Sequence, residues 1–179
     1  MRPPPLAVRA RRLAPELGVE AWCRDEDGAL LHVLTSGGRV RRAGEIGAGA
    51  GVGAAWIAAA LPPGIPLFTA EPDAGRAAAV ADLFADDPDV HVLHGDWREV
   101  LAGEAPFDLL FVADGRARDE IHAILGLAAP GCLVVMDDLS ADRTGRDAYR
   151  ERWLAHPQTD VVVVGTGGSA QALIAAVRG

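Results

Sequence analysis

A carboxylate, four glycines and a helix start stand together in Glu45-Ile46-Gly47-Ala48-Gly49-Ala50-Gly51-Val52-Gly53. An acidic residue closing a short apolar strand can accept hydrogen bonds from a polar ligand. Glycine at every second position lets the backbone turn sharply and come close to that ligand. The exposed N–H groups where the following Ala-rich helix begins favour a negative group. The chemistry on offer is a cradle for a nucleotide-type cofactor. Gly49, Gly51 and Ala54 also satisfy a loose G-x-G-x-x-A, so the loop alone leaves a dinucleotide and another adenosyl cofactor both open.

Composition bounds what surrounds that loop. A chain of 179 residues, half of them hydrophobic, suits one domain with a substantial core. A net charge of −8 speaks against a nucleic-acid groove, which needs concentrated cationic side chains. All 17 basic residues are arginine, and neither lysine nor asparagine occurs. No lysine can therefore serve as a general base, and no asparagine can ligate a metal. Cys23 and Cys132 are too few and too far apart for a disulfide framework or a zinc motif, and Cys132 lies in an apolar run that reads as core. Charges throughout residues 1–17 argue against a secretory signal, and Pro and Gly interrupt every long apolar stretch. The expectation is a protein of the reducing cytoplasm with no membrane partner.

The elements that must position the loop alternate from residue 41 onward, the pattern of a parallel sheet covered on both faces. Strands are expected over 41–46, 66–69, 90–93, 109–113, 132–136, 161–164 and 172–177. Helices are expected over 53–61, 74–85, 97–101, 118–127 and 143–155. Asp73 can cap the helix that buries Ala77, Val80, Leu83 and Phe84 on one face, and Tyr149 and Trp153, four apart, read as core packing. The last two strands are joined by too few residues for a crossover helix, so they must be antiparallel. Residues 1–40 read as an N-terminal helical arm of the same domain, with one helix through Leu6, Val8, Leu13 and Leu17. A second, through Leu30, Leu31, Val33 and Leu34, starts after Asp25 or Asp27. Residues 41–179 form the cofactor-binding part.

An acidic residue two positions before the first glycine resembles the first motif of the class I S-adenosylmethionine (SAM) methyltransferases. From Gly28 to Leu139 the order of features is similar to the O-methyltransferase family that includes catechol and caffeoyl-CoA O-methyltransferases. Those features are Gly28, Leu30, Leu31 and Leu34, then Glu45-Ile46-Gly47, Leu61-Pro62 and Thr69-Ala70-Glu71-Pro72-Asp73. Gly95-Asp96, Phe107 to Val112, and Pro130-Gly131 before Asp137-Asp138 follow. The resemblance implies a Rossmann-like fold, a seven-stranded, mostly parallel sheet with an antiparallel last strand, and methyl transfer from SAM to an oxygen of a small molecule.

Carried over residue by residue, it puts the cofactor on Glu45, Gly47, Ala48, Gly49, Gly51, Gly53, Glu71, Pro72, Gly95, Asp96, Trp97 and Asp114. Glu71, at a strand end 22 positions after Gly49, suits both ribose hydroxyls. Asp96 suits the adenine amino group, and Trp97 either stacks on the base or seals its pocket. Members of the family often carry a hydroxyl residue where Gly53 stands.

In metal-dependent members, carboxylates and an amide hold a divalent cation. Here Ala113 occupies the position of the first aspartate, and Asp114 follows one residue later, a shift that reverses a side chain's face on a strand. With that shift allowed, Asp114, Asp137 and Asp138 form the implied Mg²⁺ set. Arg116 cannot replace the family's lysine as a base because guanidinium stays protonated. Asp114 and His122 are the candidate catalytic residues, with His94 and His32 less well placed. Two other readings stand beside this one: an NAD(P)-dependent oxidoreductase, and a SAM-binding module without catalysis. A homodimer is the expected assembly.

Overall fold

The strands assemble in the order β3 (Val90–His94), β2 (Leu67–Glu71), β1 (Ala43–Ile46), β4 (Phe107–Val112), β5 (Ala128–Ser140), β7 (Ala170–Val177) and β6 (Thr159–Gly167), so the chain runs outward from β1 in one direction and from β4 in the other. The computed structural model describes residues 1–20, 23–140 and 148–179, of which 138–140 and 148 by backbone alone. β1 (Ala43–Ile46) pairs in parallel with β2 (Leu67–Glu71) and β4 (Phe107–Val112). β3 (Val90–His94) extends β2 in parallel, and β5 (Ala128–Ser140) extends β4. β7 (Ala170–Val177) is antiparallel to both β5 and β6 (Thr159–Gly167), as the short final connection requires. β1 and β2 are buried along their whole length, with Glu45, Thr69 and Glu71 the polar residues among otherwise small and apolar ones.

Two cores flank the sheet. One holds Leu31, Trp56, Ile57, Val80 and Phe111 under α1 (Pro5–Leu13), α2 (Asp25–Ser36), α3 (Val52–Ala58) and α4 (Ala74–Leu83). The other holds Ile46, Phe68, Trp97, Phe107, Leu110 and Trp153 on the opposite face, with α5 (Trp97–Val100), α6 (Ile121–Leu125) and α7 (Ala148–Leu154). Asp73 caps α4 by accepting the Arg76 N–H at 2.9 Å. The N-terminal arm lies on α3: α1 and α2 both pack there, and an Arg11–Asp25 ion pair joins them.

Some elements differ from their expected bounds. β5 runs through Pro130 and Gly131, the latter at φ +83°, because the register with β4 shifts there and absorbs the irregularity. β6 likewise continues through Gly165 to Gly167, leaving Gly168 and Ser169 as the turn. The helix expected over 118–127 is a 3₁₀ turn (Ala117–Asp119) followed by α6, since Glu120 at φ −94°, ψ +51° interrupts it. Of the helix expected over 143–155, residues 143–147 lie outside the described residues.

Candidate active site

The strand order reverses between β1 and β4, and in a parallel sheet the crevice beyond the carboxyl ends at such a point is where ligands bind. A cleft of about 660 Å³ opens there. Its floor is the loop after β1. Gly47, Gly49 and Gly51 stand at φ +91°, +56° and +84°, and a Cβ on Gly47 would lie 3.0 Å from the backbone nitrogen of Asp114. Loops from β1 and β4 thus touch at the reversal, and only glycine permits both the turn and the approach.

Glu45 and Glu71 reach the cleft from adjacent strands. Glu71 is 2% exposed; its Oε2 accepts the Gly49 N–H at 2.9 Å and its Oε1 the Asp73 N–H at 3.1 Å. Each oxygen retains a lone pair for a further donor. Glu45 is 1% exposed and takes the Thr69 hydroxyl proton on Oε2 at 2.5 Å. Burial pushes its carboxyl up to about 8, against the opposing pull of the Thr69 hydrogen bond.

A second pocket of about 310 Å³ shares Gly47, Pro72, Asp114 and Arg116 with the first and continues to Gly95, Asp96 and Trp97. Asp96 caps α5 through the Arg98 N–H at 2.9 Å, which, with the Arg98 guanidinium, holds its carboxyl below the usual range. Trp97 is buried, and Arg98 lies 4.9 Å over its ring. Trp97 therefore lines this pocket with one face of its ring already covered.

Of the residues expected at the cofactor, Glu45, Gly47, Ala48, Gly49, Gly53, Glu71, Pro72 and Asp114 line the larger cleft, and Gly95, Asp96 and Trp97 the smaller. Gly51 lines neither. It caps α3 and packs against Val80 and Leu83, where a Cβ would approach to 3.2 Å. The missing hydroxyl at Gly53 also has a structural cause: a Cβ there would stand 2.4 Å from Glu45 Oε1.

The histidines do not gather here. His122 is exposed on α6 with its ring against His156, at 5.4 Å between centroids, and does not line the cleft. His94 is exposed at the end of β3, and His32 sits edge-on to Trp56 in the arm's packing. Asp114 does line the cleft, but in the loop after β4, where its Oδ1 accepts from the backbone and guanidinium of Arg116 at 2.9 and 3.2 Å.

The described members of the implied Mg²⁺ set do not fit a shared ion. Ala113 offers no donor, Asp114 turns to Arg116, and Asp137 is ion-paired with the buried Arg118 at 3.1 Å. Among the described residues no three His, Cys, Asp or Glu side chains gather at metal-binding distance. The side chain of Asp138 lies outside the described residues.

Several cleft residues were not anticipated. Cys23, Arg24 and Asp27 come from the arm, Arg118 from the 3₁₀ turn, and Tyr149 from α7. Asp27 is 2% exposed and receives the Arg24 guanidinium on Oδ2 at 2.8 Å, while its buried Oδ1 has no partner among the described residues. Burial pushes the Cys23 thiol well up, with the charges of Asp137, Asp27 and Glu45 adding to the effect, so it is an inert wall. Buried Cys132, pushed up to about 12 chiefly by burial, is the core residue its apolar run indicated.

The β-reversal, the glycine cradle and the two strand-end carboxylates define a Rossmann-like methyltransferase fold. A family model described as a methyltransferase domain matches residues 45–139, and the chain belongs to that family: it is a class I, SAM-dependent methyltransferase. Its structure is similar to that of the O-methyltransferase TomG of Streptomyces achromogenes, involved in tomaymycin synthesis and solved with SAM. The identity is 26% and the TM-score 0.82, over 99% of this chain and 92% of that one. An O-methyltransferase from Bacillus cereus, solved with S-adenosylhomocysteine (SAH), shares the fold at 20% identity and a TM-score of 0.82, covering 99% and 93%. A methyltransferase from Geobacter sulfurreducens does so at 18% and 0.79, covering 99% and 92%. No curated protein matches the chain in sequence. These similarities favour SAM over the nicotinamide reading. No described helix is long and apolar enough to cross a membrane.

Proposed function

We propose that this enzyme methylates an oxygen of a small molecule, with the acceptor held beneath the N-terminal arm. The observation that carries the reading is the continuous pair of pockets meeting at Gly47 and Asp114: a buried carboxylate, Glu71, lies in one and the Asp96-Trp97 corner in the other. Glu71 takes the ribose hydroxyls, Gly95, Asp96 and Trp97 bound the adenine, and the Gly47–Gly49 backbone with Glu45 meets the methionine end. Bound SAM supplies an already activated methyl group. The protein has to align the acceptor oxygen, exclude water and accommodate the loss of a proton. Cys23 and Asp27 close the cleft from the arm, which does the second of these. In this reading residues 1–40 are the arm and 41–179 the SAM-binding domain of one unit.

The similarity to TomG supports oxygen as the target atom, and the net charge of −8 supports a small acceptor over nucleic acid. Two unpaired buried cysteines suit a reducing cytoplasm, and a symmetric dimer is the commonest closed assembly among soluble oligomers. Calorimetric titration with SAM, SAH and NADH, followed by turnover on a panel of phenols, tests the proposal. Binding of the adenosyl ligands and methylation of a phenol support it. Binding without turnover on any phenol would favour the non-catalytic module, and binding of NADH alone would overturn the assignment.

A further inference from the structure

The end of the cleft bounded by β4, β5 and the arm is where this chain departs from a metal-dependent site. A buried cation is already there. Arg118 is 4% exposed and Asp137 7%, and Arg118 Nη2 donates to Asp137 Oδ1 at 3.1 Å. The arginine is held on several sides. Its carbonyl accepts the Trp153 indole N–H at 2.9 Å, and its guanidinium carbon sits 6.0 Å from the centroid of the Tyr149 ring. Its Nε is buried with no hydrogen-bond partner among the described residues. Arg118 nonetheless lines the cleft, and a guanidinium brings a positive charge and five N–H donors to that wall.

A divalent cation in a methyltransferase site would supply a fixed positive charge beside the acceptor oxygen. A guanidinium can do the same, adding directional N–H donors for an oxyanion. We propose that Arg118, its geometry fixed by Asp137, stands in place of the metal: it binds the acceptor's ionised oxygen and stabilises that anion, so that methyl transfer needs no divalent cation. The inference rests on the O-methylation reading. The acceptor hydroxyl releases its proton to solvent as it binds. A lone pair of the resulting oxyanion forms the O–C bond while the methyl's C–S bond breaks, and that electron pair passes to sulfur. The acceptor class is an acidic hydroxyl, a phenol or enol, whose anion one guanidinium can hold.

The test uses the full chain saturated with SAH and two probes, Mn²⁺ followed by electron paramagnetic resonance, and 4-nitrocatechol, whose phenolate absorbs at longer wavelength than its phenol. The expected result is an undiminished signal of free Mn²⁺. In EDTA, bound nitrocatechol should ionise about 10- to 1000-fold more readily, the range for an opposite charge within a few ångströms. R118M should lose that shift, and R118K, which keeps a charge without the planar fork, should retain part of it. SAH binding by each variant checks that it has folded. The proposal is overturned if the wild type takes up Mn²⁺, if the phenolate shift requires Mn²⁺, if millimolar nitrocatechol shows no shift, or if both variants keep it in full. Failure of SAH to bind the wild type would instead remove the methyltransferase reading beneath it.

Discussion

Glu71 Oε2 accepts the backbone N–H of Gly49 at 2.9 Å, joining the end of β2 to the glycine loop after β1. The carboxylate proposed for the ribose therefore also fixes the cradle proposed for the methionine end. Arg76 stands 3.7 Å from Oε1, too far for a hydrogen bond. Replacing Glu71 by Gln keeps the size and removes the charge. A hydrogen bond to a charged group is worth about 1.5–3 kcal/mol, so SAH affinity should fall roughly 10- to 100-fold. Glu71→Ala should cost more, because the Gly49 N–H loses its acceptor as well. Calorimetry with SAH measures both, and wild-type affinity in Glu71→Ala would refute the ribose assignment.

Glu45 makes the stability of the ligand-free protein depend on pH. Its carboxyl is raised by burial from the ordinary 4.5 to about 8 in the folded state. Below the ordinary value both states hold the proton and nothing is lost. Between there and about 8 the unfolded chain releases the proton while the native state keeps it. Stability then falls as pH rises, by up to about 1.4 kcal/mol per pH unit, and levels off above the folded value. Glu45→Gln removes this dependence while leaving an acceptor for the Thr69 hydroxyl. Urea melts from pH 5 to 9 should show the variant gaining on the wild type up to about pH 8. A constant difference across that range would mean that Glu45 is not raised.

What the sequence revealed and what it hid follow from the range of the interactions involved. The cradle, Glu71 and the Asp96-Trp97 corner were legible because each lies within a few residues of a strand end and depends on local backbone geometry. The antiparallel β7 was legible because a short connection admits one topology. Arg118 was not, because one arginine among 17 becomes special only when Asp137, 19 positions away, and Trp153 close around it. Asp27 looked like an ordinary acid at a helix start, and only the seating of α2 on α3 carries it into the cleft. His122 had the right chemistry, and its side chain stands exposed outside the cleft. β5 was underestimated because Pro130-Gly131 reads as a turn, although a bulge accommodates it inside the strand.

The glycine at 53 can be tested directly against the hydroxyl that family members often carry there. A side chain would begin 2.4 Å from Glu45 Oε1 and 2.5 Å from Phe111 Cε1, and both neighbours are buried. Gly53→Ser should therefore destabilise the fold by about 1–3 kcal/mol, the range for overpacking a filled core. It should weaken SAH binding, since Glu45 must move. Tighter SAH binding in Gly53→Ser would show that the site has room for a hydroxyl that this chain lacks.

Gly28 is where the arm meets the cradle's helix. Alanine is the better helix former by about 1 kcal/mol, so Gly28→Ala within α2 would ordinarily stabilise. A Cβ there, however, would fall 2.2 Å from Trp56 Nε1 and 2.4 Å from two indole carbons of a fully buried ring. A rigid ring packed on all sides has no flexible end to swing away, so α2 must lift from α3. The overpacking cost of about 1–3 kcal/mol should outweigh the helix gain and leave a lower melting temperature, by about 2–4 °C per kcal/mol of net loss. Asp27 precedes Gly28 in α2 and travels with it, so SAH-bound protein should also bind 4-nitrocatechol more weakly than the wild type. Gly103→Ala, with nothing within 4 Å of its Cβ, is the control: it should melt no lower than the wild type and leave nitrocatechol binding unchanged. A Gly28→Ala protein that melts higher than the wild type would show that α2 slides on Trp56 without cost, and that the arm is a loosely seated lid.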